Sequence, residues 1–438
     1  MGSTANFTAS APTTGGTGAC ITFKTRRVTA NSLQAVVAAS GSGGSVSRTS
    51  DLLASTSAAA ILLFAGYRGQ SNAKGNEGAI SLRQQYKALG FANTLSTIQP
   101  LVGIAYTDGV DSAELESPRY GFAEGLRQLM QDDGLAPAAA DINEIVVGLS
   151  AQGGTSLAEN TIGTERYIAN LAQLAASVVH AEANDQEVVD LGDGFDQGER
   201  DAILGVTRAV HRSGLIEMAT GRDADGREIV PGDNPRLTVA TQTCSAVKSY
   251  ATGDQGWEIA MAQIEAHRAS RLYTIACSTY QWPFADDRHR TAAAQRLVGA
   301  MQARVMYMMA RWGVRREPLM IVQTYVDAGD LILIGNRSLV VDTVDVSAQV
   351  GCGINVYDTE GAPLIFDTVE AFGRGLRFSF TNSVEAGFTW DYGNISMTGK
   401  APYLGGGGNI RQPSTPSPLV FDGVELNDWL LLDEGIVG

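Results

Sequence analysis

The chain has 438 residues, of which 44% are hydrophobic and 18% charged; this is the balance of a globular protein with two or three cores and excludes a disordered or coiled-coil chain. With 32 Lys+Arg against 47 Asp+Glu the net charge is −15, which sets nucleic acid aside as a partner, because a general phosphate-binding face would be opposed by repulsion. The longest apolar run, Ala58 to Gly66, is about half of a membrane span, so no transmembrane helix is expected, and no basic head with an apolar middle marks a signal peptide.

Residues 1–57 form a compositional zone of their own. Ser3 to Gly18 is rich in Thr, Ser, Ala and Gly, Ile21 to Val28 reads as a strand, and Gly41-Ser42-Gly43-Gly44-Ser45 is a flexible stretch. Such an arm is either a linker or a segment that attaches the protein to a particle or to further copies of itself. From residue 58 to 314, short apolar runs alternate with helix-length periodic segments. Ile61-Leu62-Leu63-Phe64, Ile145-Val146-Val147, Leu237 to Ala240 and Leu272 to Ala276 read as buried strands. Tyr167, Leu171, Leu174, Ala175 and Val178, and again Leu297, Met301, Val305 and Met308, recur at helical spacing. The alternation predicts a parallel sheet covered on both faces by helices. Within this part, the charged stretch from Thr220 to Pro235 reads as a solvated loop.

In residues 315–438 the period changes from 3.6 to 2. Leu331 to Ile334, Ser338 to Val341, Ile354 to Tyr357, Leu364 to Phe366, Leu376 to Phe380 and Phe388 to Tyr392 are short strands separated by turns, and Gly405 to Gly408 is a glycine loop. This pattern predicts a β-sandwich. Trp390 and Tyr392 share one strand face, and a sandwich core is the first expectation for them, ahead of a sugar-stacking platform. The cysteines, Cys20, Cys244, Cys277 and Cys352, lack the spacing of a metal or redox motif and read as buried thiols; no metal is expected.

Three segments carry chemistry. Gly69-Gln70-Ser71-Asn72 follows the first buried strand, where a serine on a glycine-flanked turn is exposed at the carboxyl edge of the sheet and nearby N–H groups can face a developing oxyanion. Asp286-Asp287-Arg288-His289 places an Asp three residues ahead of a His, a spacing that lets the carboxylate hold Nδ1–H and leaves Nε2 free to act as a base; either Asp286 or Asp287 can fill that role. Gly148 to Ser156 contains Gly153-Gly154, where a backbone N–H can approach a ligand oxygen closely. It lacks the Gly-Lys-Ser/Thr ending of a phosphate loop.

With Gln197-Gly198-Glu199-Arg200-Asp201 between the last two, these blocks in this order resemble the SGNH (GDSL-like) hydrolase superfamily, in its sialate O-acetylesterase/acetylxylan-esterase-like branch, over about residues 60–310. The resemblance implies a three-layer α/β/α flavodoxin-like hydrolase domain followed by a β-rich appendage. It makes Ser71 the nucleophile, His289 the general base and Asp286 its orienting acid. The oxyanion hole is implied at the N–H groups of Ser71 and Gly154, with Gly153 as the alternative, and at the Gln197 amide. Gln70, Asn72 and Glu199 are implied to bind substrate. No cofactor is required. The chain departs from the branch where Asp190, Asp193 and Asp196 interrupt the apolar strand expected before Gln197, and where Ala73-Lys74 follows the first block.

The expected function is therefore a serine carbohydrate O-acetylesterase acting on acetylated sugars or polysaccharide, a host capsule included. The rival expectation is a glycan-binding structural or adhesion protein of a phage or phage-like particle on the same fold. Either role places the chain outside a cell or on a particle surface, with a cytoplasmic location left open.

Overall fold

The structure, a computed structural model, describes residues 60–75, 88–91, 98–100, 116–134, 144–247, 254–394, 407–414 and 419–438, together with four short backbone segments of the arm. Thr8–Ser10 pairs antiparallel with Cys20–Thr22, and Lys24–Thr25 with Ala35–Val36. The remainder of the arm, Gly41 to Ser45 included, and Gly405 and Gly406 of the glycine loop lie outside the described residues.

The central sheet begins with β1 (Ala60–Gly69), whose residues from Ile61 onward are buried, as a strand covered on both faces requires. One turn of helix, α1 (Ser71–Lys74), follows. Next come β2 (Ala88–Phe91), β3 (Ile98–Pro100), α2 (Pro118–Asp132), β4 (Glu144–Val147), α3 (Glu165–Ala183) and β5 (Gln186–Asp196). The layer closes with α4 (Glu199–Ile203), α5 (Arg208–Ile229), β6 (Leu237–Thr241), α6 (Gln255–Ala269), β7 (Tyr273–Cys277) and α7 (Ala292–Trp312). The strand order is β7-β6-β5-β1-β4-β2-β3, with every neighbouring pair parallel except β2–β3 at the edge. Without β2 and β3 the order is that of a flavodoxin-like doubly wound sheet, and its switch point falls between β1 and β5. Ligands bind such sheets beyond the carboxyl ends of those strands. Ser71 and Gln197 follow them directly.

The three acids that break the hydrophobic pattern of β5 have specific partners. Asp190 meets Arg222 through both carboxylate oxygens at 2.8 and 2.9 Å, with Arg236 3.5 Å away. Asp193 meets Arg68 at 2.6 Å and Arg222 at 2.9 Å, all with fully buried side chains. Asp196 pairs with Arg290 and accepts from Thr241 Oγ1 at 3.0 Å. The strand therefore runs to Asp196 without a break, and Gln197 follows it. Arg222 also corrects the expected loop from Thr220: α5 continues to Ile229, because its charged residues are satisfied by Asp190, Asp193 and the Arg227–Asp223 pair at 2.9 Å.

Helices α2 and α7 pack backbone to backbone. A Cβ on Gly121 would overlap the Arg296 carbonyl, and one on Gly299 the Pro118 carbonyl, so only glycine permits this contact.

The C-terminal strands are β8 (Ile321–Asp327), β9 (Asp330–Gly335), β10 (Val340–Val341), β11 (Ile354–Tyr357), β12 (Phe366–Phe372), β13 (Gly375–Phe380), β14 (Thr389–Tyr392), β15 (Ile410–Arg411), β16 (Leu419–Phe421), β17 (Val424–Leu426) and β18 (Asp433–Ile436). An antiparallel sheet β8-β9-β13-β12 and a second sheet β11-β14-β18 form the sandwich. Expected strand residues Leu364 and Ile365 instead close a turn ordered by Asp358, which accepts from the amides of Glu360 and Ala362. Trp390 and Tyr392 are buried in the core, as expected first for them. One continuous apolar cluster joins Phe195, Leu215 and Tyr273 of the α/β layer to Leu319, Leu333, Tyr392 and Leu430 of the sandwich. Cys244, Cys277 and Cys352 are buried free thiols. No helix of the described residues is long and apolar enough to cross a membrane.

Candidate active site

Register places the site. Gly69, the last residue of β1, stands opposite Asp196, the last of β5, and a side chain at 69 would overlap the Asp196 carbonyl oxygen. The next residue but one is Ser71, half-buried at the start of α1. Its Oγ lies 2.9 Å from His289 Nε2. His289 Nδ1 lies 2.7 Å from Asp286 Oδ2, while Asp286 Oδ1 accepts from the amides of Arg288 and His289, both at 2.7 Å. Burial would raise the Asp286 carboxyl, but the bonds from the His289 ring and from these amides outweigh it and hold it below the ordinary carboxylate value. Asp287, the alternative, sits 3.7 Å from Arg288 on the surface. The structure thus brings together three side chains separated by up to 218 positions.

The loop carrying His289 is fastened to the loop carrying Ser71 by Asn72. Its Nδ2 donates to the Arg288 carbonyl at 3.0 Å, and its Oδ1 accepts from the Arg290 amide at 3.2 Å and Gln295 Nε2 at 3.3 Å, so it grips the chain on both sides of the imidazole. The Gln70 amide nitrogen donates to Glu199 and its Oε1 accepts from the Arg200 N–H at 3.2 Å. Glu199 in turn accepts from Thr243 Oγ1 at 2.9 Å and Ser245 Oγ at 2.8 Å. Gln70, Asn72 and Glu199, expected to touch substrate, are buried and engaged with one another and with the scaffold. Their hydrogen bonds tie the loops of Ser71, Glu199 and His289 to one another.

Gln152 donates its N–H to the Gly69 carbonyl at 3.1 Å, and Thr155 Oγ1 donates to the same carbonyl at 3.3 Å, which docks the Gly153-Gly154 segment on the end of β1. A Cβ on Gly153 would stand 3.8 Å from Ser71 Cβ, so Gly153 lies beside the serine side chain, and Gly154 next to it is exposed with φ +72°. Among the described residues the amides of Ser71, Gly153 and Gly154 have no acceptor. Gln197 is buried; its amide nitrogen reaches the Thr155 carbonyl only at 3.5 Å, and its Oε1 has no partner among the described residues. A buried donor held this loosely is available to a ligand oxygen. Asp201, the last residue of its block, accepts from the Leu157 amide at 3.1 Å and meets His211 Nδ1 at 2.7 Å, which braces the Gly-Gly segment from behind.

Sequence reasoning missed Arg290, Gln295, Thr243 and Ser245, whose contacts come from distant strands and helices and leave no local spacing to read. It also missed a cavity of about 270 Å³ beside α1, lined by Lys74, Gln152 and Arg166 among others. Glu165 lines the same cavity, and Arg166 helps to lower the Glu159 carboxyl. Among those residues no group of three or more His, Cys, Asp or Glu side chains is arranged to hold a metal ion.

A parallel sheet between helix layers, with Ser, His and Asp converging at its switch point, has the fold of the SGNH-type carbohydrate esterases, extended here by a β-sandwich. Among solved structures, a carbohydrate acetylesterase from Xanthomonas citri superposes with a TM-score of 0.54 at 16% identity, covering 86% of this chain and 80% of that one. An Arabidopsis thaliana protein matches 56% of this chain and 98% of its own at 14% identity and a TM-score of 0.40. NanS matches 58% of this chain and 98% of its own, also at 14% identity and 0.40. No family model and no curated protein matches the chain.

Proposed function

We propose that this protein is a serine carbohydrate O-acetylesterase that removes acetyl groups from acetylated sugars or polysaccharide through an acyl-enzyme. The observation that carries the reading is the 2.9 Å contact between Ser71 Oγ and His289 Nε2, with Asp286 on the far side of the ring. In the first half-reaction Ser71 Oγ attacks the acetyl carbonyl carbon as His289 Nε2 takes the hydroxyl proton. Asp286 keeps the other ring nitrogen protonated and stabilises the imidazolium. The oxygen of the tetrahedral adduct takes up negative charge against the amides of Ser71 and Gly154 or Gly153, with the Gln197 amide as a further donor. Collapse breaks the bond to the sugar oxygen, which receives the proton from His289. Water then attacks the acetyl-serine carbonyl carbon and passes a proton to His289, and collapse of that adduct breaks the bond to Ser71 Oγ, which takes the proton back from His289 as acetic acid leaves and ionises to acetate.

The acetyl group and the sugar are supported by the Xanthomonas citri acetylesterase, which shares the fold. The test is hydrolysis of a chromogenic acetate ester by the wild type and Ser71→Ala, followed by an acetate-release screen over acetylated glycans with the same control. Loss of release in Ser71→Ala supports the reading; equal activity in both proteins, or none in the wild type, rejects it.

A further inference from the structure

At the end of α7 opposite His289 lies a cavity of about 820 Å³ between α2, α7 and the sandwich, within the size range of saccharide and cofactor sites. Its wall includes Trp312. The other four tryptophans are at most 9% exposed, whereas Trp312 is 51% exposed. Tyr307 packs edge-on against the Trp312 ring at 5.6 Å and 75°, and the Tyr307 hydroxyl donates to Asp133 at 2.6 Å, so the open indole is held in one orientation. Such a fixed aromatic plane suits the C–H face of a sugar ring.

The charge around this plane is unbalanced. Arg304, Arg316 and Arg337 all converge on the single buried carboxylate of Asp428, and Arg374 completes the lining. Asp132 and Asp133 stand at the rim, the latter engaged by Tyr307. Burial, and then the neighbouring guanidinium of Arg304, push Arg316 down to about 10 against the pull of Asp428, with Arg337 adding to the push. The Nε of Arg304 is buried with no partner among the described residues. Among the described residues four arginines line the cavity against Asp132, Asp133 and the buried Asp428, a surplus of one guanidinium in a protein of net charge −15.

We propose that this cavity is a second glycan site, which binds a carboxylate-bearing saccharide by stacking a ring on Trp312 and pairing its carboxylate with the Arg316/Arg337 edge. Arg337 donates from Nη1 to Gln412 and Asp428 and from Nη2 to the Glu317 carbonyl, and Arg316 from Nη2 to Asp428, so the saccharide carboxylate takes the remaining N–H groups of the two in charge-assisted hydrogen bonds. The choice of a saccharide over a nucleotide rests on the esterase reading of Ser71. The site is remote from that serine: α7 separates its Trp312 end from its His289 end by about 30 Å at 1.5 Å per residue.

The experiment is calorimetric titration of the full chain with an unacetylated oligogalacturonate, with the same oligosaccharide after reduction of its carboxylates to alcohols, and with a single-stranded oligonucleotide. The wild type is expected to bind oligogalacturonate about tenfold or more tightly than either of the others. Trp312→Ala and Arg337→Gln should each weaken that binding about tenfold, and Trp312→Phe by no more than about threefold. Arg337→Gln leaves Arg304 and Arg316 on Asp428, so the carboxylate stays paired. The proposal is overturned by no binding, by equal binding of the reduced sugar or the oligonucleotide, or by variants that bind as the wild type does. Because no ester is present, a failure here leaves the esterase reading standing, and a failure of Ser71→Ala to abolish hydrolysis leaves this titration interpretable.

Discussion

The carboxylates of β5 and the carboxylate of Asp286 serve the same edge of the sheet under opposite conditions. Asp193 is fully buried, and burial alone would raise its carboxyl, yet Arg222 and Arg68 outweigh that and hold it below the ordinary value. Asp286 stands on a loop with 47% of its side chain exposed and takes its bonds from its own imidazole partner and the two adjacent amides. The difference separates two tasks. Charges that fix strand positions lie in a water-free layer and need matched guanidiniums. The Asp286 carboxylate, which meets a single imidazole, stays ionised on short bonds within one loop, partly in water.

That contrast can be broken from either side. The largest expected effect is on chemistry: Ser71→Ala should lower kcat for an acetate ester about 10⁴-fold or more, read by steady-state kinetics, with the unfolding midpoint nearly unmoved. Asp193→Ala should do the reverse and destabilise the fold by about 3–5 kcal/mol, because it leaves Arg68 and Arg222 with one buried counter-charge too few; chemical denaturation measures this. Asp286→Ala should cost about 10²-fold in kcat and within about 0.5 kcal/mol in stability, as befits an exposed group. If its stability cost matched that of Asp193→Ala, the division of tasks would be wrong.

The last effect concerns a buried acid without an arginine. Burial raises Asp391 to about 6, against hydrogen bonds from Asn355 and Tyr357 that favour its charged form. The folded state therefore holds a proton between about pH 4 and pH 6 that the unfolded chain has released, so this group makes the protein less stable as pH rises through that window. Asp391→Asn cannot titrate, and its stability profile should be flatter there by about 3 kcal/mol, measured by thermal unfolding at several pH values. A steeper profile in the variant would contradict the assignment.

The contrast also explains what the sequence could convey. Ile61 to Phe64 and Leu237 to Ala240 are legible as strands because burial on both faces leaves a continuous apolar run. Ser71, Asp286 and His289 are legible because each sits in a short block whose spacing has a chemical reason. Asp190 and Asp193 read as interruptions for want of their partners: Arg68 and Asp193 are 125 positions apart, and no local pattern announces such a pair. Helix α2 escaped notice because Gly121 and Gly125 disfavour a helix, and only the close approach of α7 makes them an advantage. The resemblance assigns Gln70 and Asn72 to substrate, and what no sequence pattern shows is that both are buried and hydrogen-bonded within the frame.

Helix α7 is more than a cover for the sheet. It starts three residues beyond His289, ends at Trp312 and is pinned between Arg296 and Ala300 by glycine contacts to α2, so it acts as a ruler of fixed length between two ends that both carry cations, Lys74 and Arg166 at one and the arginine trio at the other. If both proposals hold, a polymer long enough to span that ruler is held at one end while it is trimmed at the other, and its local concentration at Ser71 rises accordingly. Shorter fragments meet the two ends as strangers, one at a time.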